Sequence, residues 1–434
     1  MRGKFVLQWW PALIALAVAA SCENSQQQLI TNTSSSTESQ LTEPQLDSVR
    51  EYFSAQVAEG HEPGIQVLIA QRGEILLHEN FGVKNNATGE ALTNDALFRI
   101  ASFTKPVTNA AAMILWDEGH FKLDDPIDKF LPELKDLSVY VSGDAESELV
   151  LEPATRSATM RELMTHTAGF TYGGALGGKH PVNAIYANVQ PAADDIDADE
   201  SMRRLGTIPL AYQPGTEYMY SFSADILGII IERISGKDLP TFMRERIFEP
   251  LAMQNTMPWV PEEDLDRLMP IHTRTEDGQL VPLPIENNGI WERDPATYEP
   301  LIFGGGGGLV STPTDFYRFA EMLRRGGELD GVRVLSKDAT QLMTSQQYPE
   351  GVRERYWAPG QGHGLNLSVV TDPDRIPYPT SAGEFSHGGL FNGYFLVDPE
   401  LELVVIMQGQ LLPPRYRPHH IPAVTQLLHE TTAE

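Results

Sequence analysis

A serine and a lysine stand three residues apart in Ser102-Phe103-Thr104-Lys105, inside the stretch Phe98–Pro106. Side chains at i and i+3 share a helix face, so the pair meets only if this segment is helical. Pro106 suits a first helical turn, where its missing N–H is no loss. Ser102 would then sit at a helix N-terminus, where free N–H groups and the positive dipole end favour developing negative charge. A serine hydroxyl is a poor nucleophile until a base takes its proton. A lysine one turn along can be that base if burial or neighbours lower its pKa. The chemistry open to such a pair is acyl transfer through a covalent serine ester. A helix-capping serine beside a solvated lysine would read the same in letters; partners elsewhere in the chain decide.

The elements that must position the pair follow from the surrounding pattern. The apolar run Ala110–Trp116 continues the helix as a buried one, with Gly119 as its stop. Upstream, an amphipathic helix runs from near Pro44 to about Ala58. Gly64–Ala70 and Glu74–His78 then form a hairpin around Arg72-Gly73. Downstream, residues 136–158 suggest a small hairpin, and Met160–His166 a helix stopping at Gly169, with His166 capping or packing. Residues 172–200 read as a long unpatterned loop or lid. Helices are expected over Ser223–Ile234, ending at Gly236, and over Leu239–Ile247. Residues 256–300 are Pro- and charge-rich.

The five glycines Gly304–Gly308 lack the Gly-Lys-Ser/Thr ending of a phosphate loop, which leaves close backbone approach or a substrate-accommodating turn. Thr314–Arg325 is amphipathic. Residues 364–370, 393–399 and 403–407 read as strands, and about 421–429 as a closing helix. His419-His420 has no metal-ligand spacing and reads as a solvated tail.

Strands at both ends with helices between predict an α/β (α+β) fold. An antiparallel sheet is assembled from both termini with flanking helices, a mainly helical part is inserted, and a cleft lies between them. The expected boundaries are 1–21 for a leader, 22–45 for a tether and 46–434 for the folded domain. Within that domain, 46–122 and 301–434 form the α/β part and 123–300 the insertion.

At 434 residues, 41% hydrophobic and 21% charged, the chain can bury a large core. A net charge of −27 without clustered Lys and Arg excludes nucleic acid as a partner. The single cysteine, Cys22, rules out an internal disulfide framework. Arg2 and Lys4 precede the apolar run Leu13–Ala20, too short to span a bilayer comfortably. Ala19-Ala20-Ser21-Cys22 then resembles the lipobox of a bacterial lipoprotein, which implies lipidation of Cys22. Glu23 resembles an outer-membrane address, so the periplasmic face is the expected location. A simple cleaved signal peptide or a plain N-terminal anchor are the alternatives. Residues 23–45 hold little that could pack and read as a flexible tether.

Five segments in order resemble the serine β-lactamase and penicillin-binding-protein superfamily, closest to class C β-lactamases and the family VIII carboxylesterases. They are Ser102–Lys105, Leu163–Gly169, Pro214–Gly228, Gly305–Thr312, and His387-Gly388-Gly389 with Asp398-Pro399. The resemblance covers roughly residues 46–430. It implies Ser102 as nucleophile, Lys105 as base, and Tyr220 as the tyrosine that shares proton transfer and protonates the leaving group. His387-Gly388-Gly389 would stand for the Lys-Thr-Gly strand, and the N–H groups of Ser102 and Leu390 for the oxyanion hole. A tyrosine between two cationic neighbours can have its pKa drawn toward working range. Tyr186-Ala187-Asn188 matches the class C Tyr-x-Asn in letters, but lies in the unpatterned stretch, and Tyr220 is preferred on context. His363-Gly364 lacks the Gly-Gly and the following strand ending in Asp398-Pro399, and is set aside as the third motif.

Two departures bear on substrate. Phe222 stands where β-lactamases place an asparagine, and His387 where they place a lysine that meets a carboxylate. A site lacking those polar partners is poorly built for penicillin or D-Ala-D-Ala, which favours a small-molecule ester. A peptidoglycan-directed DD-peptidase, D-amino-acid amidase or β-lactamase is the nearest alternative, and a binding or sensing protein that does not turn over the second. No metal or organic cofactor is implied.

Overall fold

The computed structural model describes residues 40–144, 148–173, 179–193, 195–283, 302–348, 352 and 359–429. Its centre is strand β1 (Gly64–Gln71), buried along its whole length. Side chains alternate across a strand, so Ile65, Val67 and Ile69 face one layer while Leu68 and Ala70 face the other. The first layer is helix α1 (Glu43–Ala58), which contributes Leu46, Val49 and Phe53 to that side. The second carries helix α2 (Thr104–Asp117), almost wholly buried, as its apolar sequence requires.

The eight-stranded sheet is antiparallel throughout. In chain order its strands are β1, β2 (Glu74–Asn85), β3 (Glu90–Ala91), β4 (Gln361–His363), β5 (Ser368–Val370), β6 (Phe385–Gly388), β7 (Tyr394–Asp398) and β8 (Leu403–Gly409). Their spatial order is β4-β5-β6-β7-β8-β1-β2-β3. Strands from the two ends of the chain therefore meet at β8–β1, where Leu68 pairs with Ile406 and Ile65 with Gly409. The expected mixed α/β architecture with a sheet built from both ends is present. Helices α3 (Ser223–Ser235) and α4 (Pro313–Arg324) pack on the α2 side, and α5 (Arg417–His429) lies with α1 on the other. Among the described residues no helix is long and apolar enough to cross a membrane.

Three local expectations change. Residues 364–370 are not one strand: β4 and β5 form a tight hairpin, with Asn366 in the left-handed region at φ 55° and Gly364 N–H bonded to Leu367 O. An asparagine tolerates that conformation and ends the run. The 172–200 stretch contains a helix, Asn183–Val189, and the start of another, Ala198–Leu205. Seven or eight residues are too few to show helical periodicity in sequence. His420 is no solvated tail. It is buried, its Nε2 lies 3.0 Å from Glu62 Oε1, and its Nδ1 lies 2.8 Å from Tyr52 Oη.

Candidate active site

The serine and lysine are brought together as their spacing requires. Ser102 lies in a short 3-10 turn, Ala101–Phe103, that runs directly into α2. The chain enters this turn through Ala101 at φ +46°, a left-handed conformation that costs an alanine on the order of 1–3 kcal/mol. What holds it is the residue two places on. Phe103 is fully buried, its ring centroid 4.7 Å from Phe316 and 5.0 Å from Phe395. The side chain after Ser102 thus anchors the turn in the core and leaves the hydroxyl partly exposed.

Lys105 Nζ donates to Ser102 Oγ at 3.2 Å and to Gly306 O at 2.6 Å. Its side chain is 1% exposed, and the ammonium lies 4.6 Å from the Tyr220 ring centroid and 5.3 Å from that of Tyr172. Tyr220 Oη donates to Ser102 Oγ at 2.8 Å. Two proton-carrying groups therefore converge on one hydroxyl oxygen. Either, once deprotonated, is placed to receive the serine proton.

The glycine run approaches α2 and α3 at backbone distance. A methyl on Gly305 would lie 2.6 Å from Ala224 O, and one on Gly306 2.5 Å from Asp225 Oδ2. Close approach is the reading that fits. It lets Gly306 O reach Lys105 while Gly306 N donates to Asp225 Oδ1 at 3.0 Å. Asp225 went unrecognised in the sequence. Burial pushes its carboxyl up, with Lys105 and the Gly306 N–H pulling it back down. Tyr172 Oη donates to Asp225 Oδ2 at 3.4 Å, and burial with the Asp225 charge holds that phenol protonated.

The Leu163–Gly169 segment positions Tyr220. Gly215 N bonds Thr167 O, Met219 N bonds His166 O at 3.0 Å, and Phe222 N bonds Thr171 O. His166 Nδ1 accepts from Ser221 N at 3.2 Å, and its ring lies 4.7 Å from that of Tyr220. An imidazole accepting an amide proton must be neutral at that nitrogen. Burial, reinforced by His363, Lys105 and His387, holds His166 well below its ordinary pKa. Tyr186, the literal Tyr-x-Asn match, is buried with its hydroxyl accepting from Thr171 N at 3.3 Å. It supports the Tyr172 loop. His363 is likewise a packing residue, stacked 5.5 Å from Tyr348.

On the far wall, β6 carries His387 and Gly388, followed by Gly389 and Leu390. A methyl on Gly389 would stand 3.1 Å from Ile100 O, so this segment lies against the turn that bears Ser102. Gly389 N bonds Gly393 O, whereas the Leu390 N–H has no partner among the described residues and is free to meet an oxyanion. Arg417, the first residue of α5, donates from Nη1 to Gly389 O at 2.5 Å. Gly389 C=O and Leu390 N–H belong to one peptide group, so the guanidinium both fixes and polarises the candidate donor. Its own backbone N–H is held by Asn392 Oδ1 at 2.9 Å, and Asn392 is tied to Glu62 of the Glu62–His420 pair. No pattern in the Pro-rich stretch before α5 marked Arg417. The expectation of two cationic neighbours for Tyr220 changes at His387: burial first, then Lys105, push this imidazole down to about 3, so it is neutral. Cys22 lies outside the described residues.

Residues 49–429 match the protein family described as Beta-lactamase. An uncharacterized protein of Mycobacterium tuberculosis (strain CDC 1551 / Oshkosh) is 35% identical over 376 residues, 84% of this chain and 89% of its own length. Esterase EstB of Burkholderia gladioli is 29% identical over 370 residues, covering 83% of this chain and 88% of the esterase. Among solved structures, simvastatin synthase (LovD) from Aspergillus terreus has a TM-score of 0.75 at 22% identity, covering 88% of this chain and 98% of that one. EstCE1, described as a hydrolase with promiscuous acyltransferase activity, has a TM-score of 0.70 at 21% identity, covering 89% and 99%. At that identity both show a shared fold.

Proposed function

The chain belongs to the Beta-lactamase family and is a serine hydrolase; on that premise we propose that it cleaves small carboxylic esters through an acyl-enzyme on Ser102. The observation that carries the reading is the convergence of Lys105 Nζ and Tyr220 Oη on one serine oxygen, at 3.2 and 2.8 Å. In the proposed reaction Lys105, with Tyr220, takes the Ser102 proton as Oγ attacks the ester carbonyl. The N–H groups of Ser102 and Leu390 hold the tetrahedral oxyanion, the C–O bond to the alcohol breaks, and Tyr220 protonates the leaving oxygen. Water enters by the reverse path, is deprotonated by the same groups, and releases the acid.

Esters are preferred over β-lactams and D-Ala-D-Ala because the wall that would bind a substrate carboxylate carries a neutral imidazole. Phe222, in place of an amide-binding asparagine, presents an aromatic ring beside Tyr172 at 6.3 Å. A site with neither the lysine nor the asparagine at those two positions loses its advantage for substrates that bear the groups they would meet. Similarity to Esterase EstB supports the same substrate class. Lipidation of Cys22 and residence on the periplasmic face are proposed from the leader sequence.

The test is intact mass before and after an aryl-ester pulse, with Ser102→Ala alongside. A single acyl adduct that needs Ser102 and decays as product accumulates is expected. Turnover by Ser102→Ala would overturn the mechanism. Faster cleavage of a cephalosporin or a D-Ala-D-Ala peptide than of short-chain esters would overturn the substrate class. Extraction of a Cys22→Ser chain with soluble proteins, while the unmodified chain stays with membranes, tests the anchor.

A further inference from the structure

The described chain begins at one end of the sheet. Leu41 N donates to Gln71 Oε1 at 2.7 Å, and Gln71 Nε2 donates to Leu401 O at 3.1 Å. The described chain therefore starts between the β1–β2 turn and the β7–β8 turn, and the residue after Gln71, Arg72, lines an open cleft of about 830 Å³. Five basic residues line it: Arg72, Arg324, Arg325, Arg333 and Lys337. Its acids are Glu328, Asp330 and Glu402. Five against three reverses the balance of a chain with 32 Lys and Arg against 59 Asp and Glu.

Each acid is already paired. Glu402 meets Arg324 at 3.2 Å and Arg72 at 3.5 Å, Glu328 meets Arg333 at 2.5 Å, and Asp330 meets Arg318 at 2.6 Å. The cations are in surplus. Among the described residues Arg325 hydrogen-bonds through Nε alone, to Glu321 Oε1 at 2.6 Å, leaving its two terminal nitrogens. Lys337 is exposed and has no partner among the described residues. A fork and a point charge over a polar cleft suit a phosphodiester. Val332, between Gly331 and Arg333 of the rim, is 39% exposed, and Ile75, just past the β1–β2 turn, 42%. Cations with exposed aliphatic side chains beside them are the composition of a surface that rests on a bilayer.

We propose that this cleft docks the enzyme on anionic membrane lipids, with Arg325 and Lys337 engaging headgroup phosphate next to where the described chain begins. A protein held near the bilayer by a tether needs little intrinsic affinity to stay docked, because its effective concentration there is high. Docking does not itself require acylation of Cys22, so the two can fail separately.

The experiment uses the full chain with Cys22→Ser and follows its sedimentation with vesicles of phosphatidylcholine alone or mixed with phosphatidylglycerol. Binding to the mixed vesicles alone, weakening with added salt, is expected. Each basic residue near an anionic surface is worth about 5-fold in affinity, so Arg325→Gln with Lys337→Gln is expected to weaken binding on the order of 25-fold. Aryl-ester turnover is expected to stay at the wild-type value. Val332→Asp, which leaves the cations in place, is expected to weaken vesicle binding as well. Equal binding by wild type and the double variant would overturn the proposal, as would equal binding to both vesicle types. Titration with inorganic phosphate separates the sources: phosphate binding at the cleft without vesicle binding would make it a soluble-anion site and refute membrane docking.

Discussion

Gly306→Ala isolates the contact that sets the lysine. The new methyl would lie 2.5 Å from Asp225 Oδ2 and 2.6 Å from Tyr172 Oη, nearer than real Cβ atoms come to other atoms. Asp225 is buried and bonded both to Gly306 N and to Tyr172 Oη, so the loop must retreat and carry Gly306 O away from Lys105 Nζ, now 2.6 Å off. A hydrogen bond to a charged group is worth about 1.5–3 kcal/mol. If that is lost from the arrangement that delivers Lys105 to Ser102, kcat/KM falls about 10- to 150-fold. Gly304→Ala is the matched control. Its methyl would meet only Asp225 Oδ1, at an ordinary 3.4 Å, so kcat/KM should stay within about a factor of two. The assay is kcat/KM on a short-chain aryl ester for both variants, with thermal unfolding to establish that each is folded. A folded Gly306→Ala enzyme with wild-type kcat/KM would refute the claim that the glycine run exists to bring a carbonyl to the base.

Tyr220→Phe removes the 2.8 Å contact to Ser102 and should lower kcat by about 100-fold or more with little change in unfolding temperature. Arg417→Gln should lower kcat by about 10-fold while KM moves little, because the side chain acts through the Gly389–Leu390 peptide and touches no substrate. Glu384 is buried and its carboxyl is pushed up to about 8, so the folded state holds a proton the unfolded state releases near 4.5. Stability should therefore fall as pH rises from 4.5 to 8, and Glu384→Gln should raise the unfolding temperature at pH 8 by removing a cost on the order of 4 kcal/mol. His363 has the opposite sign. Burial lowers it to about 4, so its contribution is complete above pH 6.5 and is lost as pH falls toward 4, and Glu384→Gln should leave that acid limb in place.

The pair at 102 and 105 was legible because a helix fixes what three residues of spacing mean. Tyr220 was legible because Pro214-Gly215-Thr216 and the apolar helix after it gave it a place, where Tyr186 had only the right letters. The groups that hold these residues were not legible. Asp225 reads as an ordinary residue of α3's first turn, and nothing local says that a glycine backbone 81 residues on will donate to it. Arg417 and His420 sit in a polar, Pro-rich stretch whose composition argues for solvent. His420 is buried and Arg417 half-buried because β7 and β8 lie beside β1 and α5 packs against α1, which brings Glu62 across 358 residues to His420. Periodicity also fails where a helix spans only about two turns, as in Asn183–Val189, or where a left-handed Asn366 makes the first half of an apparent strand a hairpin turn.

The β8–β1 seam has a consequence for how the enzyme comes into being. A chain emerging N-terminus first completes Ser102, Lys105 and Tyr220 well before residues 385–409 exist. Until they arrive, β1 has an open edge where β8 will pair, and the segment bearing Leu390 N–H is missing. A sheet whose central pairing joins the two ends of the chain forms late, after the largest loop has closed. On the proposed mechanism, nascent and C-terminally truncated chains would hold Ser102 and Lys105 with only one of the two oxyanion donors. Competence would then arrive in one step, at the end of synthesis, and a partly made chain would lack the site that the finished one has.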